Sequence, residues 1–214
     1  MPKQAVIFDM DGVLTDSEPF YAKAVNETLA GTPHFLTEED HRAVMGSSID
    51  DTWQWVMRRF NLEGDIRDWK ARYNASVLRI LSQRAEPTPG VHEILAAFEA
   101  RGMKIGLATS SLRVWVDAIL ARLGLTGRFQ SIASADMVQR TKPDPDLYLL
   151  AAKGLAVPPS ACVAIEDSPR GIQAAKNAGI LTIALRTGPT AHMDISAADH
   201  VIDRLPAFDL SWLA

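Results

Sequence analysis

Cysteine is almost missing from this chain. Cys162 stands alone among 214 residues, which excludes an internal disulfide and suits a reducing compartment. It sits in an apolar run, where a thiol is inert packing. Long apolar stretches are missing too. None approaches the roughly 20 residues needed to cross a bilayer, and the first residues lack the apolar run of a secretory signal. A cytoplasmic protein with no membrane partner is therefore expected. Basic residues hold no majority: 22 Lys and Arg face 26 Asp and Glu, a net charge of −4. With no basic cluster, that balance argues against nucleic acid as a partner. The five histidines, at 34, 41, 92, 192 and 200, are scattered without metal-ligand spacing and read as structural or exposed groups. No internal repeat or low-complexity segment occurs.

What the chain does have is a short apolar run of β-formers, Ala5-Val6-Ile7-Phe8, followed at once by Asp9, Asp11 and Gly12. The run reads as a buried strand. Side chains two apart on an extended backbone point the same way, so Asp9 and Asp11 should stand together where the strand ends. In open α/β sheets that end is where ligands bind. An acidic turn would account for one Asp; it accounts less well for two carboxylates that repel each other.

The next section changes character. Ser17 to Leu29 reads as a helix, with Ser17 as cap and Pro19 in the first turn. Thr37 to Asp40 resembles a capping box opening a second helix. Asp50 or Asp51 is expected to cap a third, carrying Trp53, Val56, Met57 and Phe60, and a fourth runs from about Ile66 to Leu81. At least two of Trp53, Trp55 and Trp69 read as packing within this section. No period-2 strand occurs between Asp16 and Pro87, so the stretch reads as an all-helical insert.

After Pro89 strands and helices alternate. Helices are expected at Val91 to Ala100, Leu112 to Leu123, Pro145 to Gly154 (capped by Asp144) and from Ser168 to Gly179. Strands are expected at Met103 to Ala108, around Ile132, at Ala161 to Ile165, Ile180 to Leu185 and Val201-Ile202. Alternation of this kind means a parallel sheet covered on both faces. The expectation is an α/β core, a Rossmann-like parallel sheet over 1–15 and 88–214, interrupted by a helical cap over 16–87.

Three more pieces of chemistry sit past strands of that sheet. Thr109-Ser110-Ser111 offers hydroxyls and free N–H groups at a helix start, an anion site, though plain capping would use the same residues. Lys142 precedes Pro143-Asp144-Pro145, a loop stiffened by two prolines. Glu166-Asp167 ends a strand and suits a metal, or helps to cap the following helix.

The motif DxDGxxxD, here Asp9, Asp11, Gly12 and Asp16, followed by Ser/Thr, Lys and an acidic pair, resembles the haloacid dehalogenase-like (HAD) phosphohydrolase superfamily over essentially the whole chain. The insert directly after the first motif looks like the cap of the group containing β-phosphoglucomutase and many small-metabolite phosphatases. The resemblance implies an Mg²⁺-dependent enzyme. Asp9 would attack phosphorus and form an aspartyl-phosphate, and Asp11 would act as acid and then base. The Asp9 carboxylate, the Asp11 carbonyl and Asp167, with Glu166 in support, would hold the metal. Thr109, Ser110 and Lys142 would bind the transferring oxygens. Electrostatics agrees that a cation is needed: two carboxylates about 4 Å apart repel by roughly 4 kcal/mol at an effective dielectric near 20, and oxygen-only ligands suit Mg²⁺. Ser17, Tyr21, Gly46, Ser47 and Ser48 would face the substrate, and Asp16-Ser17 and Pro87 to Gly90 would flank the hinges.

The family runs several reactions. A dehalogenase needs no acid at Asp11, and the region of Lys23 does not resemble the phosphonate hydrolases. A β-phosphoglucomutase-like phosphomutase would carry Arg, Lys and His where this chain has Ile49, Met45 and Tyr21. A phosphatase acting on a small phosphorylated metabolite, such as a sugar phosphate, is the reading favoured. A non-enzymatic phospho-acceptor is the more distant alternative, being about half this length in receiver domains. The expected partner is the substrate alone, with the chain a monomer or weak dimer.

Overall fold

The structure is a computed structural model describing residues 2–44, 47–188, 190 and 192–214. Its first strand, β1 (Ala5–Phe8), is buried along its whole length. β1 pairs in parallel with β2 (Lys104–Ala108) on one side and β4 (Cys162–Glu166) on the other. Outside these lie β3 (Ser131–Ala133), β5 (Leu181–Leu185) and β6 (His200–Ile202), giving a six-stranded sheet in the order β3-β2-β1-β4-β5-β6. All five pairings are parallel.

Period-2 alternation divides the sheet's side chains between two cores. Val6, Phe8, Ile105, Leu107, Val163 and Ile165 join one cluster with α5 (Val91–Glu99) and α6 (Arg113–Arg122). Ala5, Ile7, Ala108, Cys162 and Ala164 join the other, with α7 (Asp146–Gly154) and α8 (Pro169–Asn177). A sheet covered on both faces needs near-continuous apolar strands, and AVIF, KIGLA, CVAIE and LTIAL supply them. The register fixes where the polar groups emerge. Asp9 follows β1, Thr109 follows β2 and Asp167 follows β4, at one edge of the sheet.

Between β1 and α5 the helices and strands among the described residues are all helices: α1 (Glu18–Thr28), α2 (Glu38–Val44), α3 (Ile49–Phe60) and α4 (Ile66–Arg84). α4 packs against α1, α3 and α6. An aromatic row runs along this contact. Trp53 stacks on Trp69 with centroids 5.9 Å apart, Trp53 meets Tyr73 edge-on, and Tyr73 meets Trp115 at 6.0 Å. Trp53 and Trp69 are thus core, as expected; Trp55 is half-buried against it.

Several caps differ from expectation. Ser48, not Asp50 or Asp51, caps α3, its hydroxyl accepting from the Asp51 N–H. Asp144 does not cap α7; Pro145 stands at that position with no side-chain bond. Ser17 precedes α1 but makes no cap bond, because its hydroxyl is turned to Asp11. Thr37 and Asp40 do close a reciprocal box, and Ser168 caps α8 by accepting from Gly171. Met45 and Gly46 lie outside the described residues.

Candidate active site

The turn after β1 is built around Gly12, whose φ of +81° lies in the left-handed region that glycine adopts without strain. A methyl group there would come within 1.9 Å of the Asp167 carboxylate. Glycine at this point lets Asp167, from the end of β4, lie against the loop carrying Asp9 and Asp11. The same device recurs in α8, where a methyl on Gly171 would meet Glu166 at 1.9 Å.

Lys142 reaches the site from the loop before α7. Its ammonium donates to Asp9 Oδ1 at 2.6 Å and to Glu166 Oε1 at 2.5 Å. Tyr148 also donates to Glu166 Oε1, at 2.7 Å. The guanidinium of Arg170 donates to the Lys142 carbonyl at 2.8 Å and ties down the loop. Thr187 donates to Asp167 Oδ2 at 3.2 Å.

Asp9, Glu166 and Asp167 each offer an oxygen within 4.8 Å of the others, and all three are buried. One ammonium stands among three carboxylates and bonds two of them, Asp9 and Glu166. Burial first, then the neighbouring Glu166 charge, push the Asp9 carboxyl up to about 8. Burial and the Glu166 and Asp9 charges likewise hold Asp167 well above the usual range. Burial favours the neutral form of Lys142, but the two carboxylates outweigh it and raise its pKa. A buried, all-oxygen cluster short of positive charge fits a hard divalent cation.

Asp11 faces a different set of groups. Tyr21 donates to its Oδ1 at 2.7 Å, Ser17 bonds the same oxygen, and Ser111 donates to Oδ2 at 2.8 Å. The Thr109 hydroxyl, fully buried, approaches Oδ2 at 3.4 Å and accepts from the Ser111 N–H. Asp9 and Asp11 thus line one cavity with separate partners, and the Asp11 carboxylate is outside the acidic cluster.

That cavity, about 600 Å³, opens between the sheet edge and the helices. Asp9, Asp11, Ser110, Lys142 and Asp167 line its floor, together with Arg170. Tyr21, Ser47, Ser48, Tyr73 and Asn74 line its helical side. Ser17, Thr109 and Glu166 stand behind the wall and Gly46 lies outside the described residues. Sequence reasoning did not single out Tyr148, Asn74, Trp115 or the Glu18–His41 contact at 3.3 Å. The first three look like ordinary helix-face residues in the sequence, and no local signal sets them apart.

A family profile described as haloacid dehalogenase-like hydrolase matches residues 6–185. The chain belongs to this family. Among curated HAD relatives, the phosphorylated carbohydrates phosphatase of Thermotoga maritima is 36% identical over 177 residues, 83% of this chain and 82% of that protein. Protein CbbY of Rhodobacter capsulatus is 35% identical over 218 residues, covering 97% of this chain and 96% of that one. Among solved HAD structures, a variant of CbbY from Rhodobacter sphaeroides in complex with xylulose-(1,5)bisphosphate superimposes with a TM-score of 0.88 at 29% identity. That match covers 100% of this chain and 99% of the other. The α/β HAD fold expected from the sequence is the one observed.

Proposed function

We propose that this HAD hydrolase is an Mg²⁺-dependent phosphatase acting on a small phosphorylated metabolite, a sugar phosphate or similar monoester. The observation that carries the reading is the convergence of Asp9, Lys142 and Asp167 beside Asp11 on the floor of one cavity, with Glu166 directly behind them. The named activities of the relatives agree with it.

Asp9 is the nucleophile. Its carboxylate oxygen bonds to phosphorus as the ester oxygen leaves, giving an aspartyl-phosphate. Asp11 protonates the leaving oxygen and then takes a proton from the water that attacks the intermediate. Four hydroxyls fix the Asp11 carboxyl by bonding both of its oxygens. Ser110 and Lys142 bind the transferring oxygens and oppose their charge, while Thr109, expected to join them, stands buried behind the wall and orders the loop by accepting from the Ser111 N–H. Lys142 also keeps Asp9 oriented through the contact already present. The Asp9 carboxylate, the Asp11 carbonyl and Asp167, supported by Glu166, would hold Mg²⁺; when bound it neutralises the carboxylates and lets a dianionic phosphate enter.

The helical section 16–87 acts as a cap on a core of 1–15 and 88–214, excluding water until the phosphoryl group has moved. Ser17 and Tyr21 link the two through Asp11; Ser47 and Ser48 face the substrate. The mutase alternative needs a free cation for a distal phosphate. Among the described residues the helical-side lysine of the lining, Lys70, is paired with Asp50, and His41 lies against Glu18. The protein works as a monomer or weak dimer in the cytoplasm, a setting that suits its single buried thiol.

The test is release of phosphate from p-nitrophenyl phosphate with Mg²⁺ and with EDTA. Turnover is expected only with the metal. Asp9→Asn should lower kcat by at least about a thousandfold while the circular dichroism spectrum stays unchanged. Retained turnover in that variant would refute the nucleophile assignment.

A further inference from the structure

Asp167 is the member of the acidic cluster that no cation bonds. Lys142 donates to Asp9 and Glu166, and among the described residues no ion pair reaches Asp167. Its side-chain partners are two hydroxyls from the loop after β5. Thr187 approaches Asp167 Oδ2 at 3.2 Å, and Thr190 approaches the same oxygen at 3.4 Å. The two hydroxyls lie 2.7 Å apart. Each threonine has one proton to give. The shorter path therefore runs from Thr190 to Thr187 and from Thr187 to Asp167. A carboxylate has about four lone-pair sites, so a single hydroxyl proton leaves the others for a cation.

These hydroxyls are held in place by the core. Thr190 is buried and lines the cavity. Its carbonyl accepts from the Met193 N–H at 2.9 Å. Beyond it, Ile195 is buried with Ile172 of α8 and Ala184 of β5, so the loop is anchored on both sides. Gly12 comes so near Asp167 Oδ2 that a methyl there would lie 1.9 Å away. Two loops from distant parts of the chain thus close on one carboxylate oxygen. The kind of donor matters. A lysine or arginine here would hold the carboxylate but cancel its charge. A neutral hydroxyl orients the carboxylate and leaves that charge for a metal.

We propose that Thr187 and Thr190 are positioning residues for the cation site, acting as a hydroxyl pair that holds Asp167 ready to bind Mg²⁺. The proposal rests on the metal-dependent phosphatase reading above. It adds a further segment of chain, the loop past β5, to the strand ends that build the site.

The experiment titrates the metal-free full chain with MgCl₂ by calorimetry, which reads affinity without turnover. Thr187→Val keeps the shape of the side chain and removes the hydroxyl. Its dissociation constant for Mg²⁺ is expected to rise by at least about tenfold, the lower end of the range for groups that orient metal ligands. Thr190→Val should weaken binding by less, because Thr187 still donates directly. Thr187→Ser returns the hydroxyl and should bind within twofold of wild type. Unfolded protein lowers the stoichiometry and not the fitted constant, so a loss of folded chain is not mistaken for a loss of affinity. A constant within twofold of wild type in Thr187→Val overturns the proposal. A Thr187→Ser variant as weak as Thr187→Val also overturns it, since the effect would then be packing. In both cases, turnover of p-nitrophenyl phosphate by wild type with Mg²⁺ leaves the phosphatase reading standing. Wild type that binds Mg²⁺ but releases no phosphate overturns that reading alone, and the threonine variants still decide the cation site. Wild type that binds no Mg²⁺ overturns both.

Discussion

On the floor of the cavity Lys142 bonds Asp9 and, just behind the wall, Glu166, and the three side chains are no more than 8% exposed. On the helical side Lys70 reaches an Asp50 that is 64% exposed, while Asn74 leaves its carbonyl oxygen unbonded. The floor is over-determined: each charged group has a neighbour, and two glycines hold the carboxylates at closest approach. The helical side is held more loosely, by a partly exposed ion pair and a buried amide oxygen that has no partner among the described residues. The difference matches a division of labour in which transferring a phosphoryl group requires fixed charges, and recognising the remainder of a substrate requires groups not already satisfied.

The largest effect that would test this contrast is the loss of Lys142. Lys142→Met leaves two buried carboxylates without their ammonium and should cost about 3–5 kcal/mol, the range for breaking a buried pair. Urea denaturation in EDTA measures it, and a cost below about 1 kcal/mol would remove the distinction between floor and roof.

The second test uses pH. The Asp9 carboxyl is raised from 3.8 to about 8 by burial and by Glu166. A raised acid contributes stability that is present below the unfolded pKa of 3.8 and lost as pH climbs through about 8. In EDTA, wild type should lose stability relative to Asp9→Asn between pH 4 and 8, and excess Mg²⁺ should flatten that difference. A difference independent of pH would mean the floor is not short of positive charge.

Gly12→Ala comes next. It places a methyl 1.9 Å from the Asp167 carboxylate at φ +81°, so stability should fall by about 1–3 kcal/mol from backbone strain. Mg²⁺ affinity, read by titration of activity, should fall with it. The smallest effect belongs to the helical side: Lys70→Met breaks a partly exposed pair and should change stability by less than about 1 kcal/mol. A larger loss would show that the helical side is as interlocked as the floor.

Much of the floor was legible beforehand because its signals are local. Asp9 and Asp11 follow a four-residue apolar strand at a spacing of two. Glu166-Asp167 closes another strand, and Lys142 stands before a proline-stiffened loop. Ser17 misled as a cap because a serine before a helix carries the same local signal whether its hydroxyl turns to its own backbone or to Asp11. Ser48 was passed over for Asp50 and Asp51 because all three are good cap residues and only backbone geometry chooses. Tyr148 gave no sign at all. Its partner Glu166 is brought to it by the packing of α7 on the sheet.

The order of residues alone settled that strands alternate with helices, that an all-helical stretch interrupts them, and that acidic groups end β1 and β4, because apolar periodicity and turn chemistry act over a few residues. Folding decided that one ammonium serves Asp9 and Glu166, that hydroxyls from two regions of the chain meet on Asp11, and that Asn74 and Trp115 share a wall. Those contacts join residues far apart in the chain, and only the packing of α4 on α6 and of β4 beside β1 sets their distances.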